Sequence, residues 1–371
     1  MTDSHLTRAR FKRVLGVLAL LLVVVIVASA LVGAEPIDVW RALVGHPCPP
    51  IEIKEPGLGG PGLVESLGYE VRCRMADSLE RTILFRIRLP RILLAVAVGG
   101  ALAAAGATLQ ALLRNPLADP HMLGVSGGAA LGAAAMLMSG AGRDLSIFPL
   151  PLVLVPMGAF AGALLAMGLV YRLGSVQGRL QPYMFLLAGV VTNSFCGALI
   201  MALNALANFF QAQGILFWLL GSLETQSWIL VVSSFLYLIV GVAWLMRYTR
   251  AFNVLTLGEE SAEQLGIDVT RTRRGAFIVS SLLVGASVSV SGMIGFVGLI
   301  IPHVTRLLIG PDYRLLLPAS VLVGGAFLVI ADSTARSLFG AVEIPVGVVT
   351  ALCGGPFFIY LLRREGGRGV R

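Results

Sequence analysis

Lysine is almost missing from this chain: its 371 residues hold two, Lys12 and Lys54, which follow Phe11 and Ile53. A phosphate-cradling loop of the form Gly-x-x-x-x-Gly-Lys-Ser/Thr needs a lysine directly after a glycine, so any ATPase of that type must be a separate polypeptide. Charged residues of all kinds make up 13% of the chain against 57% hydrophobic, where a soluble domain carries about 25% charged. With a mean hydropathy of +0.87, a water-soluble fold is excluded. Histidine is equally sparse, at His5, His46, His121 and His303. These four are scattered, so no His-Glu-x-x-His pattern or other metal-ligand cluster forms, and no nucleophile with a spaced base points to an enzyme. Ionisable groups deep in apolar runs, where each costs at least about 2.5 kcal/mol, are few, and no proton or sodium path is legible. His303 follows Pro302 and reads either as a structural histidine beside a helix break or as a proton relay.

What the chain has is apolar runs long enough to cross a bilayer core of about 30 Å. They fall near 14–34, 92–113, 121–139, 148–171, 183–206, 228–246, 275–291, 294–309, 315–335 and 346–362. The fold class expected is all-α, a polytopic membrane protein of about ten transmembrane helices forming one domain over 1–371. Arg8, Arg10, Lys12 and Arg13 precede the first run in the manner of a signal peptide, and Ala28-Ser29-Ala30 resembles a cleavage site. The run exceeds the roughly 7 to 15 residues of a signal core and many spans follow, so it is expected to stay as a first helix. With the N-terminus inside, the inner ends collect Arg114, Arg172, Arg179, Arg247, Arg250, Arg271, Arg273, Arg274, Arg306 and Arg314, together with the basic tail. This is the positive-inside pattern, and it places both termini in the cytoplasm and the chain in an inner membrane. The formal charge of +8 is dispersed between spans, which reads as a topology signal and not as a nucleic-acid surface.

One outer segment, 35–91, is long and carries both charge signs; its middle is too rich in Pro and Gly for regular structure. Cys48 and Cys73 both lie there, and an oxidising outer compartment permits a disulfide between them, the alternatives being two free thiols or a weak His46/Cys48 metal contact. The 44 glycines gather in patches such as Gly99-Gly100, 124–128 and 292–298, where small residues let helices approach closely. Pro302 and Pro345 beside glycines lead one to expect interrupted helices. Asp332 and Arg336 are four apart, the spacing of a helix-surface ion pair.

Between the sixth and seventh spans, the segment 251–272 contains Leu257-Gly258-Glu259-Glu260-Ser261-Ala262-Glu263-Gln264-Leu265-Gly266. Leu257, Ala262 and Leu265 mark one face and Glu259, Glu260 and Glu263 another, with Gly258 and Gly266 bounding about two turns of helix. A helix so short must dock on something. Either it lies on its own bundle as a linker, or it is a coupling helix that fits a cleft in an ATPase.

Arg88-Leu89-Pro90-Arg91 is followed by Arg114-Asn115-Pro116-Leu117-Ala118-Asp119-Pro120 and then by Leu123-Gly124-Val125-Ser126-Gly127-Gly128. Further on come Leu257-Gly258-Glu259, Gly295-Phe296-Val297-Gly298-Leu299-Ile300-Ile301-Pro302-His303 and Glu343-Ile344-Pro345-Val346-Gly347. In this order, over roughly 80–365, the chain resembles the permease family of iron-chelate (ferric siderophore or haem) and cobalamin ABC importers, the FecCD type. The resemblance implies a type II ABC importer permease architecture, working as a homodimer in the lipid bilayer. It implies two ATP-binding cassette subunits that use ATP and Mg, and a periplasmic substrate-binding protein that docks outside. No cofactor is expected on this chain. It implies docking through Arg88, Arg91 and Arg336, ATPase contact through the segment from Leu257 to Gly266, and a cytoplasmic gate near Gln181, Pro182 and Tyr183. The gate loop departs from the small hydroxyl residues of some relatives, and the long 35–91 loop has no family role to transfer. A stand-alone ion-coupled carrier is the alternative.

Overall fold

Helix formation follows the apolar runs, and in several places a polar residue sets the boundary. Thr7 caps α1 (Arg8–Leu31), its hydroxyl accepting from the Arg10 amide at 3.2 Å. The long helix over Leu79–Leu113 passes through a π-helical turn at Ile83–Arg88 and continues as α2 (Leu89–Leu113). There follow α3 (Val125–Met138), α4 (Pro151–Gly174), a two-stranded hairpin of β1 (Ser175–Val176) and β2 (Arg179–Leu180), α5 (Pro182–Leu206) and α6 (Phe209–Leu220). The rest are α7 (Trp228–Met246), α8 (Thr249–Leu255), α9 (Glu259–Gln264), α10 (Val269–Ser291), α11 (Val297–Ile309), α12 (Tyr313–Ser337) and α13 (Val346–Gly366). This computed structural model describes residues 7–32, 39, 42, 79–140, 151–176, 179–224, 227–338 and 343–366. Cys48 and Cys73, and most of the 35–91 segment, lie outside the described residues.

Seven helices, α1, α2, α4, α5, α7, α10 and α12, are long and apolar enough to cross a membrane; α3, α6, α11 and α13 are shorter apolar helices. Adding α3, α11 and α13 to the seven accounts for the ten expected spans. The described residues thus form a helical, multi-pass membrane protein. Several boundaries differ from expectation. The second span begins at Leu79 and not at 92, because a helix tolerates charges such as Glu80, Arg81 and Arg86 that break an apolar run. The third shortens to α3, preceded by a 3-10 turn at Pro120–Leu123. The seventh starts earlier, at Val269, where the Asp268 carboxylate caps the Arg271 amide at 2.9 Å.

Contacts at the helix ends fix two faces. At the near face, where α1 begins, Arg10 donates to the Ile309 carbonyl at 3.1 Å, and Asn253 of α8 donates to Asp312 at 2.8 Å. At the far face, the Ser29 and Ser333 hydroxyls meet at 2.6 Å, so α1 and α12 run parallel; Arg91 bonds Asp332, so α2 opposes them. α2 is the centre of the bundle and almost wholly buried, whereas α1 is largely exposed. It packs on α12, α10, α11 and α7. The approach is closest where Gly99 meets the Gly324 backbone and Gly106 meets the Gly298 backbone, and a Cβ at either position would overlap a carbonyl; only glycine permits that separation.

Pro302 was expected to interrupt a helix, yet it lies inside α11. Lacking an N–H, it leaves the Gly298 carbonyl without its intrahelical donor. The buried Gln110 side chain of α2 supplies the donor, reaching the Gly298 and Leu299 carbonyls at 3.5 and 3.3 Å. Gln110 in turn accepts from Arg306 at 3.0 Å, so the repair comes from a neighbouring helix, as membrane packing allows. The break falls instead between α10 and α11, at Gly292 and Phe296, whose φ angles are 66° and 67°. His121 holds this break to α5: its Nε2 is 2.6 Å from the Ile294 carbonyl, while its own carbonyl accepts from Asn193 at 2.8 Å.

Candidate functional site

The three arginines expected to dock a partner all reach the far face, but none presents its head to solvent. Arg88, Arg91 and Arg336 are 3%, 6% and 5% exposed. Arg91 donates through Nε to both oxygens of Asp332 at 3.0 and 3.1 Å, and through Nη1 to Glu343 at 2.7 Å. Arg336 Nε lies 3.1 Å from Asp332 Oδ2, an ion pair out of hydrogen-bonding alignment, and its Nη2 donates to Ser29 at 3.2 Å. Arg88 donates to the Ala30 carbonyl at 2.8 Å. Asp332, 1% exposed, therefore serves two arginines from the centre of the cluster. This corrects the surface ion pair expected from its spacing: α1, α2 and the start of α13 enclose it. In such a setting removing one partner is severe, because the other charge is then buried alone. The family resemblance passes through Asp332 and Glu343 but assigned neither of them a role. The signal available was chemical, since two carboxylates within reach of buried arginines on adjacent spans are costly unless paired.

The near face is built differently. Gly258, at φ 131°, turns the chain into α9 in a conformation closed to residues with a Cβ, and Gly266, at φ 78°, turns it out. Ala262 is fully buried against the bundle. Leu257 and Leu265 are not on its face, as the helical pattern had implied: they are 73% and 67% exposed. Two large apolar side chains therefore flank a short docked helix with nothing over them among the described residues. Glu259 pairs with Arg273 of α10. Gln181, Pro182 and Tyr183 follow the hairpin directly: Ser175 pairs with Leu180, the Gln181 amide bonds the Gly174 carbonyl at 3.2 Å, and Pro182 opens α5. Tyr183 is 73% exposed. A cavity of about 330 Å³ separates the two expected sites and touches both, lined by Gln181, Pro182, Glu259, Glu260, Glu263 and Arg273 among others.

The model of the FecCD transport family matches residues 17–364, which spans both clusters and every helix between them. The chain belongs to the FecCD transport family. Among its relatives, the cobalamin import system permease protein BtuC of Halobacterium salinarum is 40% identical over 357 residues, covering 92% of this chain and 94% of that one. The hemin transport system permease protein HmuU of Yersinia pestis is 42% identical, covering 75% and 82%. The Fe(3+)-citrate import system permease protein YfmD of Bacillus subtilis is 37% identical, covering 79% and 84%. A solved structure assigned to the metal-chelate type of ABC transporter, in an inward-facing conformation, superposes with a TM-score of 0.74 at 30% identity, over 95% of this chain and 99% of that one. Membership in the FecCD family gives the far-face arginines and the α9 region a common context, that of a membrane permease.

Proposed function

We propose that this chain is the permease subunit of a binding-protein-dependent ABC importer that carries a metal chelate, of the ferric siderophore, cobalamin or haem class, across the inner membrane by ATP-driven alternating access. The observation that carries this is the family match over 17–364, joined to a short docked helix with Leu257 and Leu265 left bare. The cargo class rests on the relatives, whose names share a large chelated metal. In this reading the near face is cytoplasmic, the chain pairs with a second copy, and two ATPase subunits seat on α9. A substrate-binding protein meets the far face at Arg88, Arg91 and Arg336. Since those arginines lie under the end of α1, docking includes a shift of Ser29 and Ala30 that frees them for the partner's carboxylates. Charge pairs of this kind set register and encounter rate. The cargo path between the copies binds weakly, because affinity resides in the binding protein.

The test is purification of the tagged chain from its own membranes, followed by uptake in vesicles. The expected result is a stoichiometric Walker-type ATPase in the preparation and uptake that requires both ATP and the binding protein. Recovery of the chain alone, with flux driven by an ion gradient, would establish the stand-alone secondary transporter instead.

A further inference from the structure

Arg273 sits in the second turn of α10, and its residue is 6% exposed. One terminal nitrogen pairs with Glu259 of α9; Nε and Nη2 are buried and find no hydrogen-bond partner among the described residues. A buried guanidinium so incompletely satisfied is costly to keep. The same side chain borders two adjoining spaces: the polar cavity that holds Glu260 and Glu263, and a narrow apolar one walled by Pro182, Phe185 and Phe277. Phe277 is four residues beyond Arg273 and so lies on the same face of α10. Its ring meets that of Phe185, in the first turn of α5, edge-on at 4.5 Å, and stacks with Tyr171 of α4 at 6.1 Å. The hairpin strand β2 also packs on α10.

We propose that Arg273 is the positioning residue that links the coupling helix to the gate segment. The inference rests on the importer reading above and adds the part that joins its two near-face elements. When an ATPase displaces α9, Glu259 draws on the Arg273 guanidinium. Because Arg273 and Phe277 share one face of a rigid helix, the displacement reaches Phe185 and with it Gln181, Pro182 and Tyr183. The unpartnered Nε and Nη2 give the second position its partners, since Glu260 and Glu263 line the same cavity. The link thus has two arrangements, one with Glu259 alone and one with more of the acidic face, and coupling needs such a two-state element.

The experiment uses the full complex with its ATPase and binding protein in liposomes, Cys48, Cys73 and Cys353 changed to Ser, and an environment-sensitive fluorophore on Tyr183→Cys. Wild type, Arg273→Gln, Glu259→Gln and the double variant are compared for uptake per ATP hydrolysed and for the ATP-dependent change in fluorophore emission. Each single variant is expected to lose about tenfold in both, the scale of one charge-assisted hydrogen bond, with the double variant no worse than either. A merely structural arginine would lower the yield of assembled complex and leave the fluorophore response of the surviving complex intact; that outcome overturns the proposal. So do losses in the two single variants that add independently. Should Arg273→Gln fail to assemble, Glu259→Gln decides alone, since its side chain is 42% exposed and retention of the full response there refutes the link. An unlabelled complex of native sequence without ATP-driven uptake would overturn the importer reading itself, and the link with it.

Discussion

The two faces of this bundle treat charge and apolar surface in opposite ways. At the far face, Arg91 of α2, Asp332 and Arg336 of α12 and Glu343, three residues before α13, form one ion-paired cluster, and the end of α1 covers them. At the near face, among the described residues, Leu257 and Leu265 are bare and Arg273 keeps two nitrogens unmatched. A closed cluster holds helices in register, whereas an open one leaves binding energy for a partner. In the proposed function both faces meet partners, the near one with surface already bare and the far one only after its cover shifts.

The contrast breaks most visibly at Asp332. Asp332→Ala leaves buried Arg336 without a carboxylate and Arg91 with Glu343 alone, and is expected to cost about 3–5 kcal/mol, read as a large fall in unfolding temperature in detergent; a near-neutral result would mean that water already reaches the cluster. Second in size is Leu257→Asp combined with Leu265→Asp. Intrinsic stability should stay within about 0.5 kcal/mol, as for other surface changes. Recovery of the ATPase should weaken by about 2 kcal/mol, some thirtyfold in affinity. Co-purification at increasing salt and detergent measures it, and equal loss of stability and recovery would erase the difference between the faces. Ser29→Ala sharpens the comparison from the far side: it removes the hydrogen bonds to Arg336 and Ser333, costs about 1–2 kcal/mol, and loosens the cover over the arginines. Association of the binding protein, followed by stopped-flow, should then quicken; slower association would place docking elsewhere.

The smallest effect belongs to the near-face cap at Asp312. Burial pushes its carboxyl up, but hydrogen bonds from Arg314 and Asn253 outweigh burial and hold it below its ordinary value of 3.8. With the folded-state value the lower one, the stabilisation is complete above the unfolded value and disappears as pH falls through the folded one. Asp312→Ala should therefore cost about 1 kcal/mol at neutral pH, and the difference from wild type should close as pH falls through the lowered folded-state value. A gap that widens on acidification would contradict the assignment.

Legibility in the sequence followed the physics of each feature. Long apolar runs exposed the spans of α1, α5, α7 and α12 to within a few residues, since lipid demands them. α6 was missed: 207–227 read as a connection, although Asn208 and Gln211 form a reciprocal capping box, with each side chain bonding the other's backbone at 3.0–3.1 Å, and Gly221 ends the helix. That signal is two polar residues wide and was masked by the apolar run around it. The bounds of α9 were legible from Gly258 and Gly266, because positive φ selects glycine. The burial of Arg88, Arg91 and Arg336 was not, because it depends on α1, which is distant in sequence. Arg273 had been counted only as one of many inner-face charges; nothing local marks which of Arg271, Arg273 and Arg274 turns inward.

The glycine seam along α2 has a mechanical corollary. Where Gly99 and Gly106 meet the backbones of Gly324 and Gly298 without an intervening side chain, sliding or rotation would drive carbonyl into Cα at once. α2, α11 and α12 are thereby locked against one another, so in the proposed transport cycle these three helices move as one rigid body.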